Sequence, residues 1–313
     1  MRKMTVVYLA FSLVFMLAEN AFAERPDVRL SAGIGYLQGE TTYRIGGHFE
    51  SPQLGSYDYP FPISELDWPL NVVMGSVDLT ASYWRLSGAV SYKMSLSEPK
   101  QKMEDSDWGY FQGDPPDLLD VYSESSPTLD ARIIDGNINF AFLKYPGWDM
   151  QIGLGYLWQD FGFVASNLDQ WYPPYPSVPH VYESGRVITY DVTYKVPYAE
   201  LILNFYTKKF KGALTYQFSP FVNAQDEDKH LLRSKISKGD SDGYMNAGRF
   251  NFSYDFTKHI FAGFDFSYRQ IMTTGTQKQH QLATAEVPEW WGDIDNEIYS
   301  EQIESTLKVG CKF

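Results

Sequence analysis

Apolar residues recur at every second position along most of this chain, the period of a strand with two unlike faces and not of a helix. Leu30, Ala32, Ile34 and Tyr36 alternate with Arg29, Ser31, Gly33 and Gly35 in the first such stretch, residues 28–43. The same alternation predicts strands over 67–83, 86–97, 131–143, 148–164 and 186–206. A seventh starts at Phe210, carries Leu214, Tyr216 and Phe218 on one face, and runs up to Asp228 and His230. Strands over 244–256, 260–272 and 303–313 complete a set of ten. In the sixth, the alternation changes phase around Pro197, which predicts a bulge or a bend.

The connections sort into two kinds. Short turns fall near 83–85, at Tyr145-Pro146-Gly147, at Thr207-Lys208-Lys209 and at Thr257-Lys258. Long polar stretches fall at 46–65, 98–130, 166–185, from His230 to about Gly243, and 273–301. Short turns on one side and long loops on the other are the outer-membrane pattern, and an even strand count brings both chain ends to the same side. Closure pairs every backbone group in lipid and removes exposed edges. The expected fold is therefore all-β: a ten-stranded antiparallel transmembrane β-barrel with long extracellular loops and an aromatic last residue, Phe313.

Composition fits this class. Aromatics reach 17% and charged residues only 21%, as interfacial aromatic girdles on alternating strands would require. Residues 1–23 read as a secretory signal, with Arg2 and Lys3 ahead of an apolar run and Ala21-Phe22-Ala23 as the cleavage site; the barrel domain is expected over 24–313. No later run approaches the length of a spanning helix. Without Arg2, Lys3 and Glu19, 24 basic and 38 acidic residues remain, a net of −14, which disfavours nucleic acid and suits cationic peptides. The single cysteine, Cys311, sits on the apolar face of the terminal strand and offers no disulfide framework.

Two acidic motifs carry the candidate chemistry. Asp228 and His230 are two apart, so in an extended strand they point the same way, and an aspartate there can fix the imidazole tautomer. Asp105 and Asp107 have the same spacing; close carboxylates repel, which raises one pKa and lets the couple hold and polarise a water. Asp105 and Asp107 share parity with Ser91, Lys93 and Ser95, the expected lumen side, although Pro99 interrupts the stretch between them. Asp228 and His230 share parity with Leu214 and Tyr216, the lipid side, so the reading needs a register shift between Ser219 and Gln225, where Pro220 stands. His48, His180 and His280 fall in loops without acidic neighbours in sequence, His259 falls in a short turn, and all four read as solvated surface. The four site residues could also ligate a hard cation, but no zinc spacing is present and no metal is expected.

Ser64-Glu65-Leu66-Asp67-Trp68, Glu104-Asp105-Ser106-Asp107-Trp108 and Asp226-Glu227-Asp228-Lys229-His230, with the ten-strand plan, resemble the omptin family of outer-membrane proteases over about residues 28–313. The resemblance implies an outward-facing groove in which Asp105 and Asp107 face Asp228 and His230, with water as nucleophile. It implies a preference for cleavage beside basic residues, with Asp226 matching one pocket carboxylate. The second pocket carboxylate falls at Tyr43, a departure that predicts a weakened basic preference unless Glu40 compensates. Lys229 stands where the best-known members have glutamate. The resemblance further implies lipopolysaccharide as an activating lipid, no other cofactor, outer-membrane lipid and peptide or protein substrates as partners, and a monomer with its active site facing outward.

Two other function classes compete with an endopeptidase. One is a non-catalytic barrel serving as adhesin or structural protein, which substitution of His230 and Asp105 would leave able to bind. The other is a small porin, disfavoured because ten strands leave an interior mostly filled by side chains.

Overall fold

The computed structural model describes residues 26–109, 111, 115–285 and 287–313; the expected signal segment, 1–23, lies outside them. Among the described residues there is no helix, and every regular element is a strand. In chain order these are β1 (Asp27–Ser51), β2 (Gly55–Asp58), β3 (Ser64–Pro69), β4 (Val72–Tyr83), β5 (Leu86–Ser95), β6 (Met103–Trp108) and β7 (Leu119–Tyr145). They continue as β8 (Trp148–Trp171), β9 (Val181–Tyr206), β10 (Phe210–His230), β11 (Lys235–Asp255), β12 (Ile260–Gln281) and β13 (Trp290–Lys312).

The sheet closes on itself where β1 pairs antiparallel with β13, from Arg29 opposite Lys312 up to Glu50 opposite Asp293. Going round, β1 meets β4 in its lower half and β3 in its upper half, so β3 and β4 are two pieces of one stave. β5 and β6 likewise pair with the lower and upper parts of β7. β2 is a short hairpin arm on β1. Among the described residues, thirteen strands thus make ten staves, the expected number.

The lower half of the barrel is apolar outside and polar inside. Leu30, Ile34, Val77, Ile138, Leu154, Leu214, Leu307 and Val309 are exposed on the outer face, where lipid would lie. Phe252 is exposed with them, and Phe264 is half-buried on the same face. Asn139 is buried in the lumen, with Ser91 and Lys308 also turned inward. Lumen charges are matched: Lys93 Nζ lies 2.6 Å from Glu304 Oε1, and Arg249 Nη2 lies 2.7 Å from Asp135 Oδ2. Tyr198 donates to Asp135 Oδ1 at 2.6 Å, and Gln159, Arg269 and Gln302 interlock above. Glu304→Ala should strand the Lys93 ammonium in this lumen. The expected loss is about 3 kcal/mol of unfolding free energy, read by urea titration in lipid vesicles, because breaking one partner of a buried pair leaves an uncompensated charge.

Above the lipid belt the faces exchange character. On β9 the inward side chains run Val192, Tyr194, Val196, then Tyr198 and Glu200, all buried, with no change of phase. The outward ones run Asp191, Thr193, Lys195, then Pro197, Ala199 and Leu201. β9 itself carries no extra residue at Pro197, where Tyr156 pairs with it in an unbroken ladder; the ladder to β10 does break across Pro197, between Ala199 and Lys195, with the bulge on β10, and the phase change in the sequence is the point where the polar face moves from outside to inside. The same exchange corrects the loops. Polar outward residues above the belt read as loop in sequence, yet the strands continue through them. The connection expected from His230 to Gly243 shrinks to 231–234, and that expected over 273–301 shrinks to 282–289. At these two connections the strands run on well beyond the expected loop starts.

The register shift expected in the seventh strand is present. The β10–β11 ladder slips between Ser219 and Val222, leaving Pro220 and Phe221 out of pairing. Pro220 has no N–H to give the ladder, and Phe221 is exposed. Thr215, Gln217 and Ser219 point in below the bulge; Val222, Ala224, Asp226 and Asp228 point in above it.

Candidate active site

An aromatic floor separates the polar lumen from the upper groove. Trp68 stacks on Tyr190 with ring centroids 5.7 Å apart, Phe163 packs on Trp68 at 5.1 Å, and Tyr43 lies against Tyr190 at 5.5 Å. All four rings are buried. A cavity of about 620 Å³ lies below this floor, among the lumen residues Arg29, Lys93, Asp135 and Glu304. It is remote from the acidic motifs, and the charges of these four residues are already paired.

Two walls rise from the floor. On one, β6 carries Asp105 and Asp107 inward, with Glu104 and Ser106 turned out. Asp105 sits in register between Leu66 of β3 and Ser123 of β7, and Asp107 between Ser64 and Val121. The stave breaks between Ser95 and Met103, around Pro99, and resumes with the parity of Lys93, so the couple faces in as its spacing predicts. On the other wall, the bulge at Pro220 turns Asp226, Asp228 and His230 inward. His230 Nε2 lies 3.0 Å from Asp228 Oδ2, with the Asp228 side chain 2% exposed.

The walls are close enough to act on each other. Burial pushes the Asp105 carboxyl well up, and neighbouring Asp107 raises it further; His230 and Arg233 pull it back, and Asp228 raises it. Arg233, on the turn after His230, reaches across to Asp107, its Nη2 3.8 Å from Oδ2. Lys235, the register partner of His230, is half-buried, and burial pushes its ammonium down, against Asp228, Asp107 and Asp105. Motif spacing gave no reason to single out Arg233 or Lys235. The signal that could have found them is the brevity of the β10–β11 hairpin, which brings both back beside His230.

Asp226 forms a pocket beside this centre. It lies opposite Gly239 of β11, where a side chain would collide with the carboxyl, and next to Asn296 of β13. Gln277 approaches, yet neither carboxyl oxygen completes a well-formed hydrogen bond. Burial, and then the charge of Asp228, push Asp226 up to about 7. Tyr43 borders the same space: burial, and then Asp228 and Asp226, hold its hydroxyl far above its ordinary value, so it stays neutral. Glu40 does not belong here. It is exposed on the outer face, opposite Pro69 and Glu301, and cannot line the pocket with Tyr43.

Three of the four remaining histidines have carboxylate partners in space, and His259 instead contacts the Lys312 carbonyl. His48 Nδ1 lies 2.9 Å from Asp58, His180 Nδ1 2.7 Å from Asp169, and His280 Nε2 2.8 Å from Glu289. His180 and His280 also stack on Trp171 and Trp291. His280 stands opposite Ile236, which in turn pairs with Lys229, so it shares a register row with the residue between Asp228 and His230. Among the described residues no cluster of three or more His, Cys, Asp or Glu side chains is arranged to hold a metal ion.

The family model of the omptin family matches residues 24–313. The plasminogen activator of Yersinia pestis is 25% identical over 221 residues, covering 69% of this chain and 70% of that protein. The crystal structure of the outer-membrane protease OmpT from Escherichia coli superposes with a TM-score of 0.74 at 17% identity, covering 94% of this chain and 99% of that one. The closed ten-stave barrel and the family match over the whole described chain agree, and the chain belongs to the omptin family of outer-membrane proteases.

Proposed function

We propose that this chain is an endopeptidase that hydrolyses peptide bonds with an activated water, held between Asp105 and Asp107 on one wall and His230 on the other. The observation that carries the reading is the opposition of two buried acidic couples across one groove, one of them a 3.0 Å aspartate–histidine pair. With Nε2–H donated to Asp228, His230 keeps a lone pair on Nδ1. That nitrogen takes a proton from the water as its oxygen attacks the carbonyl carbon of a peptide lying along the groove. When the tetrahedral intermediate collapses, the imidazolium returns the proton to the leaving amine. Asp228 holds the ring and stabilises the imidazolium; Asp105 and Asp107 position the water. No covalent enzyme intermediate forms and no metal is used. The site opens at the end of the barrel away from the short turns, which puts it outside the cell if those turns face the periplasm. Lipopolysaccharide, bound to the outer face, is the activating lipid in this proposal, and the working unit is a monomer.

Specificity follows from the pocket. With Tyr43 neutral and Asp226 titrating near 7, only one carboxylate is available to a cationic side chain, and it is largely ionised only above neutrality. Cleavage of a peptide library should favour lysine or arginine weakly at pH 6 and more strongly at pH 8. Tyr43→Glu should raise the basic preference about 10–100-fold, the worth of one charge-assisted hydrogen bond. A strictly basic profile, unchanged between the two pH values, would contradict this account of the pocket.

A further inference from the structure

We infer that Arg233 is a positioning residue of this site: its guanidinium, set against Asp107 across the groove, decides which carboxylate of the Asp105–Asp107 couple stays ionised. The inference rests on the proteolytic reading above and adds to it the protonation state in which the couple works.

The turn that carries Arg233 is tied down on both sides. Leu231 donates its N–H to Val187 O at 2.9 Å, Leu282 donates to Ser234 O at 3.0 Å, and the Gln281 amide donates to Arg233 O at 2.7 Å. Ser234 takes a left-handed backbone, φ 54°, which closes the turn in few residues. The backbone of Arg233 is therefore fixed, and its side chain projects over β6 to within 3.8 Å of Asp107. The contact is one-sided: the Asp107 side chain is 10% exposed and that of Arg233 44%. A half-solvated cation thus covers a buried acid.

Among the described residues, the charged groups that act on the couple come from several elements. Asp228 and His230 come from β10, Lys235 from β11, Arg233 from the turn between them, and Tyr43 from the floor on β1. Two carboxylates this close do not both ionise readily, so they hold a shared proton near neutral pH. The cation at Asp107 breaks the symmetry. The guanidinium lies on the Asp107 side of the couple, while burial and the neighbouring Asp107 raise the Asp105 carboxyl. Asp105 Oδ1 is buried without a hydrogen-bond partner. A couple with one O–H donor and one ionised acceptor suits a water that must be held in one orientation. Two carboxylates sharing a delocalised proton would not fix that orientation.

The test compares wild type, Arg233→Gln, Arg233→Met and Arg233→Lys, each refolded with lipopolysaccharide and checked for the folded barrel by heat-dependent gel migration. The first readout needs no activity: pH-difference infrared spectra, with the Asp105 carboxylic-acid band assigned by its loss in Asp105→Asn. Without the cation this band should titrate roughly one pH unit higher, the scale of a nearby opposite charge damped by solvent; Arg233→Lys should restore it. The second readout is peptide cleavage. The alkaline limb of kcat/KM, where the working form with its one proton is lost, should move up with the band, and kcat should fall about tenfold with KM nearly unchanged. A band that titrates at the same pH in wild type, Gln and Met variants would overturn the inference. So would a change confined to KM with the alkaline limb unmoved. Absence of cleavage by folded wild type would count against the proteolytic reading, and the infrared titration would still decide what Arg233 does.

Discussion

Replacing His230 with alanine should lower turnover by about 10²–10⁴-fold with the barrel intact, the range that a positioned general base contributes. His230 lies at the end of β10, beside a turn, with its side chain 12% exposed, so its loss opens space at the groove and not in the packed floor. Asp228→Asn should follow it in kcat. The amide can still contact the ring, but it can donate where the carboxylate accepts, which favours the wrong tautomer and no longer stabilises imidazolium. The measurement is kcat on a quenched peptide at matched folded fraction. Equal turnover in the alanine variant and wild type would remove His230 from the chemistry.

Replacing Asp226 with asparagine should stabilise the protein at pH 8 and leave it nearly unchanged at pH 4. The carboxyl moves from an ordinary 3.8 to about 7 on folding. A folded pKa above the unfolded one means that the folded state holds more protons between the two values. Stability therefore falls as pH rises through that window, and it stays low above pH 7. A displacement of about three units corresponds to roughly 4 kcal/mol at the upper plateau. Asparagine cannot ionise, and its amide suits a pocket that already holds Gln277 and Asn296. Urea titrations of both proteins from pH 4 to 8 should diverge with rising pH. Parallel curves would mean that Asp226 is solvated like an ordinary surface acid. The destabilised carboxylate is what a cationic substrate group would relieve, so the stability cost and the pocket's use come from the same burial.

Much of this architecture was legible from period-two alternation alone. Leu214 and Val309 face out, Asn139 and Lys308 face in, and Pro220 breaks the register where the parity of Asp228 demanded a break. What alternation could not convey is which solvent each face meets. At Tyr194 and Val196 the inward side is apolar; at Glu200, on the same side of the same strand, it is polar. The polarity reversal above the lipid belt therefore read as a kink at Pro197, and the polar outward residues of 98–130 and 273–301 read as loop. The two acidic couples were legible because each is local in sequence. The roles of Arg233 and Lys235 depend on contacts across the groove, and the exposure of Glu40 depends on how β1 lies between β3 and β13; neither has a local signature.

The most direct test is hydrolysis of a quenched peptide in ¹⁸O-enriched water by folded protein with lipopolysaccharide, the products read by mass spectrometry. The account predicts a new carboxyl terminus bearing one ¹⁸O with wild type and almost none of that product with His230→Ala or Asp105→Ala. Undiminished cleavage by folded His230→Ala, or no cleavage by folded wild type with lipopolysaccharide present, would contradict it.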